Sequence, residues 1–377
     1  QFVPSKKDFA IEGFISTGAG AVRAAQASQY LWKTDLDTAA ITTPQPIGDG
    51  EKQIAVQDAR FTLYVLNRGG DVSWRKPLDG PIQGRIHTID FYKNGERQLV
   101  FATSGKIYMI DQAGDAVQNF PIALPCFAST PLSVLDMDGD RNYTLFIGCS
   151  NGLIYGYEKG GKPLGGWNPN QLGPDITRPL QHFKHRSREF LLGVTDDGWL
   201  KFFTRYGEAA SRPIPIGNRT AFDFVLDETR GYRAVASDGT EYRLGFDGRV
   251  KTVPSPMYGA SDALLADVAT AKQGHEKIMF DGKRIRVYAG DSTTLRTLVL
   301  PGAANGKLFV AQLPSGQYYV GVGGASKVWL MNGDGKPVEG FPRNGNGVFT
   351  GVDLYSNDQL VLIGLADDNT VIAYAVE

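Results

Sequence analysis

A repeated pattern of short β-strands dominates this sequence. The segment "LYVLNRGGDVSWRKPL" at 63–78 combines an apolar strand, a glycine turn and a second strand that carries a tryptophan. Similar segments recur at a spacing of roughly 40 to 46 residues, the period expected of β-propeller blades. The further copies read "IYMIDQAGDAVQNFPI", "IYGYEKGGKPLGGWNP", "LKFFTRYGEAASRPIP", "EYRLGFDGRVKTVPSP", "IRVYAGDSTTLRTLVLP" and "VWLMNGDGKPVEGFPR". Because two more apolar runs precede each copy, each repeat predicts a four-stranded antiparallel sheet.

The two ends of the sequence predict how the repeats close into a ring. The last repeat supplies three strands and no fourth, whereas "YLWKTDLD" at 30–37 matches the fourth-strand segment "VSWRKPLD" at 72–79. Pairing the N-terminal strand with the last sheet leaves no exposed edge. We therefore predict an all-β, eight-bladed β-propeller in which an N-terminal strand completes the last blade, with seven blades as the alternative. The propeller domain is predicted to span 30–377, and 1–29 to be a linker or an added strand.

Composition narrows the functional classes. Lys and Arg number 39 and Asp and Glu 40, giving a net charge of −1, so no basic field exists to attract nucleic acid. No window approaches the roughly 18 apolar residues that cross a bilayer. Cys126 and Cys149 allow one intramolecular disulfide at most, and we interpret Cys149, near a strand end, as an inert buried thiol.

The best ion-binding candidate is "LDMDGDRNYT", in which Asp136, Asp138 and Asp140 alternate around a glycine. Oxygen ligands at this spacing suit a hard cation such as Ca²⁺. The run resembles the D-x-D-G-D-G calcium loops of integrin-type propeller repeats, although Thr144 stands where that family places its last Asp. A solvated turn accounts for the same residues. No zinc-protease helix motif and no catalytic Cys–His neighbourhood is recognised in the sequence, so we do not predict an enzyme.

Propellers bind partners at a face, where the connectors between blades gather around the central channel. Four of these connectors carry an arginine, and the connectors as a set also supply four aromatic residues. Arginine and aromatic side chains dominate interface hot spots. The predicted contact face comprises Arg85, Phe127, Trp167, Arg178, Arg219, Tyr258, Arg343 and Phe349. The alternative is that Trp167 packs as the outer-strand aromatic of its blade and that the arginines are structural or solvated.

The tryptophan-bearing repeat resembles the quinoprotein-type repeat of PQQ dehydrogenases and of outer-membrane assembly lipoproteins, which are also eight-bladed propellers. This chain lacks adjacent cysteines and has the repeat tryptophan in only a few copies, so PQQ is not expected. Nearly the whole chain, including "LWKTDLD", "WRKPLDGPIQG" and "DFYKNGERQLVFATSGKIYMID", resembles the C-terminal propeller regions of large Bacteroidota envelope proteins of unknown function. That resemblance implies an extracytoplasmic location in the periplasm or at the outer membrane.

The leading functional prediction is a non-catalytic platform that binds an envelope protein. One alternative is a propeller that binds or cleaves carbohydrate, with an aromatic such as Trp167 or Tyr258 stacking on a sugar and two carboxylates about 5–10 Å apart performing the chemistry. The other alternative is an adhesion module stabilised by Ca²⁺ at Asp136, Asp138 and Asp140. The identity of the partner is not predicted.

Overall fold

A computed structural model describes residues 30–376, except for 172–175, 177, 186–187, 217–223, 228–230, 236–240, 246–248, 254–262, 271–273, 281–283, 290–293 and 300–307. The first predicted segment, 1–29, lies outside the described residues. Within the described part the secondary structure consists of strands without helices, and they form eight four-stranded antiparallel sheets. The predicted eight-bladed propeller is therefore confirmed, and the seven-bladed alternative is wrong.

The N-terminal strand is β1 (Trp32–Asp35). The strands of blades 1 to 4 are, in chain order, β2 (Gln45–Ile47), β3 (Gln53–Gln57), β4 (Thr62–Leu66), β5 (Val72–Pro77), β6 (His87–Ile89), β7 (Gln98–Ala102), β8 (Lys106–Ile110), β9 (Ile122–Ala123), β10 (Ser133–Leu135), β11 (Thr144–Gly148), β12 (Leu153–Glu158), β13 (Asn170–Gln171), β14 (Gln181–His185), β15 (Arg188–Val194), β16 (Trp199–Phe203) and β17 (Ile214–Pro215).

The strands of blades 5 to 8 are β18 (Val225–Asp227), β19 (Gly231–Val235), β20 (Glu241–Leu244), β21 (Val250–Val253), β22 (Ala263–Thr270), β23 (Gly274–Phe280), β24 (Arg284–Ala289), β25 (Thr294–Val299), β26 (Leu308–Gln312), β27 (Tyr318–Gly323), β28 (Lys327–Asn332), β29 (Arg343–Asn344), β30 (Phe349–Val352), β31 (Val361–Leu365) and β32 (Thr370–Ala375). We call the four strands of each blade A to D in order from the channel outward.

The ring closes as the sequence predicts. Strand β1 pairs with β32 and becomes the D strand of blade 8, with Trp32 opposite Ala373 and Asp35 opposite Thr370. The hydroxyl of Thr370 also donates to Asp35 Oδ1 at 2.9 Å. The outer edge of the last sheet is thereby occupied by the start of the same domain, which removes a template for aggregation.

Apolar side chains fill the seams between neighbouring blades. Buried clusters join blades 8 and 1, 1 and 2, 2 and 3, 3 and 4, 4 and 5, 6 and 7, and 7 and 8. Between blades 5 and 6, the described residues include a buried ion pair in which Lys277 Nζ lies 3.2 Å from Glu241 Oε2. Successive side chains of a strand point to opposite faces of its sheet, so each blade can pack one face against each of its two neighbours.

The tryptophan of the repeat joins one blade to the next. The indole nitrogen of Trp32 donates to the carbonyl of Arg68 at 3.0 Å, and that of Trp74 donates to Gln112 at 3.0 Å. In both cases the acceptor lies in the C–D turn of the following blade. A Cβ on Gly70, whose φ is +89°, would lie 2.6 Å from the Trp32 ring. The glycine turn of the repeat is therefore required both by its backbone conformation and by the close approach of the indole.

Candidate functional site

The two ends of the propeller differ in their connections. One end carries the B–C turns and the connectors that run from strand D to the next strand A, and we call it the D–A face. The other end carries the A–B and C–D turns, and we call it the opposite face. Because strands alternate in direction within each blade, every blade contributes to both faces in the same way.

A cavity of about 550 Å³ lies at the D–A face between blades 1 and 2. We call it the blade 1–2 cavity. Its lining is apolar apart from three threonines, one glutamine and one arginine. The lining residues are Ile41, Thr42, Thr43, Pro44, Gln45, Pro46, Ala55, Val56, Leu63, Ile82, Gly84, Arg85, Ile86 and Thr350. Its mouth is open to solvent, since Ile41 is 43% exposed and Arg85 is also exposed.

Arg85 is the charged residue of this lining. Among the residues that the structure describes, no carboxylate pairs with its guanidinium. No Asp or Glu lines the cavity, so it lacks the carboxylate pair that glycoside hydrolysis needs. The chemistry that the cavity offers is a single positive charge beside apolar walls.

The wall that carries Arg85 is held in place by its neighbours. The side chain of Gln45 donates to the carbonyl of Ile86 at 2.7 Å and accepts from its amide at 3.0 Å. A Cβ on Gly84, with φ of +79°, would lie 2.6 Å from Pro131 on the next connector. The Nε2–H of His87 donates to the carbonyl of Leu132, with a separation of 3.1 Å. These contacts fix the connector on both sides.

A disulfide stabilises the next connector. Cys126 and Cys149 are bonded, with Cα atoms 5.9 Å apart, so the interpretation of Cys149 as an inert thiol is wrong. The bond ties the connector before β10 to the B–C turn of the same blade, where Ser150 donates its amide to the carbonyl of Phe127. Phe127 is 72% exposed. An aromatic ring on a covalently restrained loop is well suited to contact a partner, because little conformational freedom is lost on binding.

Two aromatics of the predicted contact face are buried. Trp167 has no exposed surface, packs between the rings of Phe146 and Phe203, and donates its indole N–H to the carbonyl of Arg205 at 2.8 Å. Phe349 is 3% exposed. The structure therefore corrects the assignment of both residues to the surface. Trp167 instead packs on the next blade, as the alternative held, although it precedes the outer strand β13 and does not lie on it.

The arginines of the predicted face lie in different environments. Arg178 is half-buried on the connector before β14. Arg343 lies on β29, and its guanidinium carbon is 5.1 Å from the ring centroid of Phe341 and 5.0 Å from that of Tyr374. Stacking on two aromatic faces is a structural use of this side chain. The remaining two predicted residues, Arg219 and Tyr258, lie outside the described residues.

The three aspartates proposed as a calcium site lie in the A–B turn of blade 3, on the opposite face. Asp136 accepts the amides of Asp140 and Arg141, both at 3.0 Å, and Asp140 accepts the amide of Asn142 at 2.9 Å. Over the described part of the chain, no three His, Cys, Asp or Glu side chains are arranged to hold a metal ion. The aspartate pattern thus has a structural explanation, and the calcium prediction itself is untested.

The same capped turn recurs in other blades. Asp90 accepts the amides of Asn94 at 3.0 Å and Gly95 at 3.2 Å, and in blade 8 Asp353 caps the equivalent turn. A carboxylate at the end of strand A therefore satisfies backbone donors that the tight A–B turn leaves unpaired. This recurrence explains why fragments of the calcium-loop pattern appear in several blades.

Asp138 takes part in an ion network between blades 3 and 4. Arg205 contacts both oxygens of Asp138, at 2.8 and 2.9 Å, and also contacts Glu189 at 2.7 Å. Lys184 lies 3.3 Å from Asp138, and His182 lies 2.9 Å from Glu189. Arg205 holds the pKa values of Asp138 and Glu189 below their usual ranges. The network joins two blades at the opposite face.

Sequence reasoning missed the cavity and the disulfide. Ile41 and Pro44 belong to the connector before blade 1, which was overlooked because it follows the closing strand rather than a complete repeat. A signal for the disulfide was present: Cys126 lies on a D-to-A connector and Cys149 at the end of strand B, and both positions belong to the D–A face of one blade.

Comparisons with known proteins agree with the fold. No protein-family model matches the chain, and no curated protein sequence matches it. Solved structures do match: BBS1N in complex with ARL6DN, with a TM-score of 0.55, 13% identity, and coverage of 93% of this chain and 97% of that chain. BamB from Moraxella catarrhalis matches with a TM-score of 0.56 and 16% identity, over 92% of this chain and 97% of that chain. Sqt1 from Saccharomyces cerevisiae matches with a TM-score of 0.64 and 12% identity, over 93% of this chain and 99% of that chain.

At these identities the likeness concerns the fold alone. The chain is an eight-bladed β-propeller with a cavity and a disulfide-braced aromatic on its D–A face. No helix in the described residues has the length and hydrophobicity needed to cross a bilayer.

Proposed function

We propose that this propeller is a non-catalytic platform that binds a protein partner through its D–A face in the bacterial cell envelope. The observation that carries the proposal is the exposure of Phe127, 72% of whose surface is accessible although its connector is restrained by a disulfide. Aromatic residues, including phenylalanine, are enriched at protein–protein interfaces. Arg85, on the connector before it, adds a second side chain of the type enriched at interfaces.

Two further observations support the proposal. Disulfides persist in oxidising compartments, so the bond between Cys126 and Cys149 favours an extracytoplasmic location. A propeller of similar fold, BBS1N, forms a complex with the protein ARL6DN. A closed ring suits such a role because its connectors vary while the blades keep them in fixed positions.

Site-specific photocrosslinking in the native envelope tests this function. A crosslinking amino acid replaces Phe127 in the full-length protein, and the matched control places it at Tyr206, which is 69% exposed on the C–D turn of blade 4 and hence on the opposite face. We expect one partner protein to be captured from position 127 and not from position 206. Capture from 206 alone would show that the opposite face binds the partner, and capture from neither would argue against a protein platform.

A further inference from the structure

We infer that the blade 1–2 cavity receives a segment of the partner protein in which an apolar side chain is next to a carboxylate. The apolar side chain enters the cavity, and the carboxylate pairs with Arg85. This inference rests on the proposed function of the D–A face and specifies the chemistry of the segment that this face recognises.

The charge of the cavity points to an anionic group. Arg85 supplies the positive charge of the lining, no carboxylate of the described residues neutralises it, and it lies at the exposed mouth. A guanidinium presents its donors in a planar fork that matches the two oxygens of a carboxylate. A cationic or purely apolar segment could not form this ion pair with Arg85.

The walls of the cavity call for an apolar group beside that charge. Ile41, Pro44, Leu63, Ile82 and Ile86 contribute aliphatic surface, and the volume is about 550 Å³. Sites that enclose small ligands typically have about 300–1,000 Å³. The cavity therefore has room for one large side chain together with the backbone on either side of it.

The cavity is organised before binding. Gln45 holds Ile86 through two hydrogen bonds, and Gly84 packs against Pro131 with no room for a side chain. Pro131 belongs to the same connector as Phe127, so the cavity wall and the exposed aromatic are parts of one packed unit. A prepared surface of this kind loses little entropy when a segment docks.

A protein segment fits this surface better than an isolated small molecule. Ile41 is 43% exposed at the mouth of the cavity, and Phe127, 72% exposed, lies on the connector whose Pro131 packs against Gly84 of the cavity wall. A protein segment can contact both the cavity and the adjacent connector that carries Phe127, whereas a small ligand confined to the cavity leaves Phe127 without a role.

Binding of synthetic peptides tests the inference. The probes are short fluorescent peptides in which Leu, Phe or Trp precedes Asp, together with a matched set in which Asn replaces Asp. Binding is measured by fluorescence polarisation with the full chain. We expect peptides of the Asp set to bind, the Asn set to bind about tenfold more weakly, and Arg85→Ala to remove the difference, a change equivalent to about 1.4 kcal/mol.

Two variants control this experiment. Arg60 is exposed on the B–C turn of blade 1, on the same face, but does not line the cavity, so Arg60→Ala is expected to leave binding unchanged. Ile41→Asp places a negative charge at the mouth and is expected to weaken the Asp peptides at least tenfold. Both residues are exposed, and an unchanged melting temperature verifies that each variant folds.

The inference is overturned if no peptide binds, if the Asp and Asn sets bind equally, or if Arg60→Ala weakens binding as much as Arg85→Ala. It is also overturned if dodecanoate binds in an Arg85-dependent way while the peptides do not, since the cavity would then hold a fatty acid. If Phe127 still crosslinks to one partner when the peptides fail, the platform function stands and only the assignment of the cavity is lost.

Discussion

Protonation of His87 should make this propeller lose stability as the pH falls below 6.5. His87 begins strand A of blade 2, and its Nε2–H donates to the carbonyl of Leu132 at the start of blade 3. Burial, together with the nearby charge of Arg85, lowers the pKa of the ring from 6.5 to about 4. The folded protein therefore keeps His87 neutral at a pH where the unfolded chain protonates it.

The sign and size of the effect follow from proton linkage. Between pH 6.5 and about 4 the unfolded state binds more protons, so the free energy of unfolding decreases as the pH decreases. Below about pH 4 both states are protonated and the loss stops. A shift from 6.5 to about 4 corresponds to a ceiling of about 3 kcal/mol. Because part of the ring is exposed to solvent, we expect about 1–3 kcal/mol.

The chain itself supplies the control variant. Gln45 and Gln181 occupy the equivalent position in blades 1 and 4 and hold the backbone of the next blade through their side-chain amides. His87→Gln should keep this contact and remove the titration. We expect urea unfolding curves of wild type and variant to differ by a constant amount above pH 7 and to converge or cross as the pH falls to 4, with the wild type losing about 1–3 kcal/mol more.

A second variant tests the cause of the shift. Arg85→Ala removes a positive charge that disfavours protonation of His87, so its loss of stability on acidification should be smaller than in the wild type. If wild type and His87→Gln lose the same free energy between pH 7 and 4, the neutral buried ring is not responsible, and the reasoning about this contact is refuted. The carboxylates titrate equally in both proteins and cancel in the difference.

Three further results are expected. Replacing both Cys126 and Cys149 by Ser should lower the free energy of unfolding by about 3 kcal/mol, because the bond closes a loop with a sequence separation of 23, and reducing agent should abolish the difference in urea titrations. Trp167→Ala should cost about 3–5 kcal/mol and Phe127→Ala less than about 0.5 kcal/mol in the same assay, since one ring is fully buried and the other exposed; similar costs would contradict their assignments. Asp136→Ala should cost about 1 kcal/mol by removing a turn cap, while EDTA leaves the wild-type melting temperature unchanged; a decrease of that temperature with EDTA would instead support a bound cation.

The blades and the closing strand were predictable because their determinants are local. The alternation of "LYVL", the glycine turn and the tryptophan that follows it all lie within one repeat, and the match between 30–37 and 72–79 needs only a comparison of two segments. Trp32 and Trp74 make equivalent contacts with the next blade, which is why the match predicted the position of β1 correctly.

The burial of individual side chains was less predictable because it depends on the neighbouring blade. Trp167 looks the same in sequence whether it faces solvent or packs on blade 4, and the acceptor of its indole, Arg205, is distant in sequence. Lys277 and Glu241 likewise look like solvent-facing strand residues, but they pair with each other in the seam between blades 5 and 6. Such contacts require the register of two sheets to be known.

The contrast between the two faces explains why the D–A face is the better candidate for a specific function. On the opposite face the same devices recur from blade to blade: Asp90 and Asp136 cap their A–B turns, and Trp32 and Trp74 dock on C–D turns. The polar groups of these turns therefore hold the ring together.

The D–A connectors differ from one another. Of the connectors that the structure describes, one carries an unpaired arginine beside an apolar cavity and the next carries a disulfide and a phenylalanine exposed to 72%. A simple connection between two blades needs neither a disulfide nor an ordered cavity wall. The exposed phenylalanine ring buries little apolar surface and so contributes little to the free energy of folding. The disulfide, the cavity wall and the exposed phenylalanine are not required by the propeller fold, and they lie on connectors that are free to vary. We therefore assign partner recognition to the D–A face.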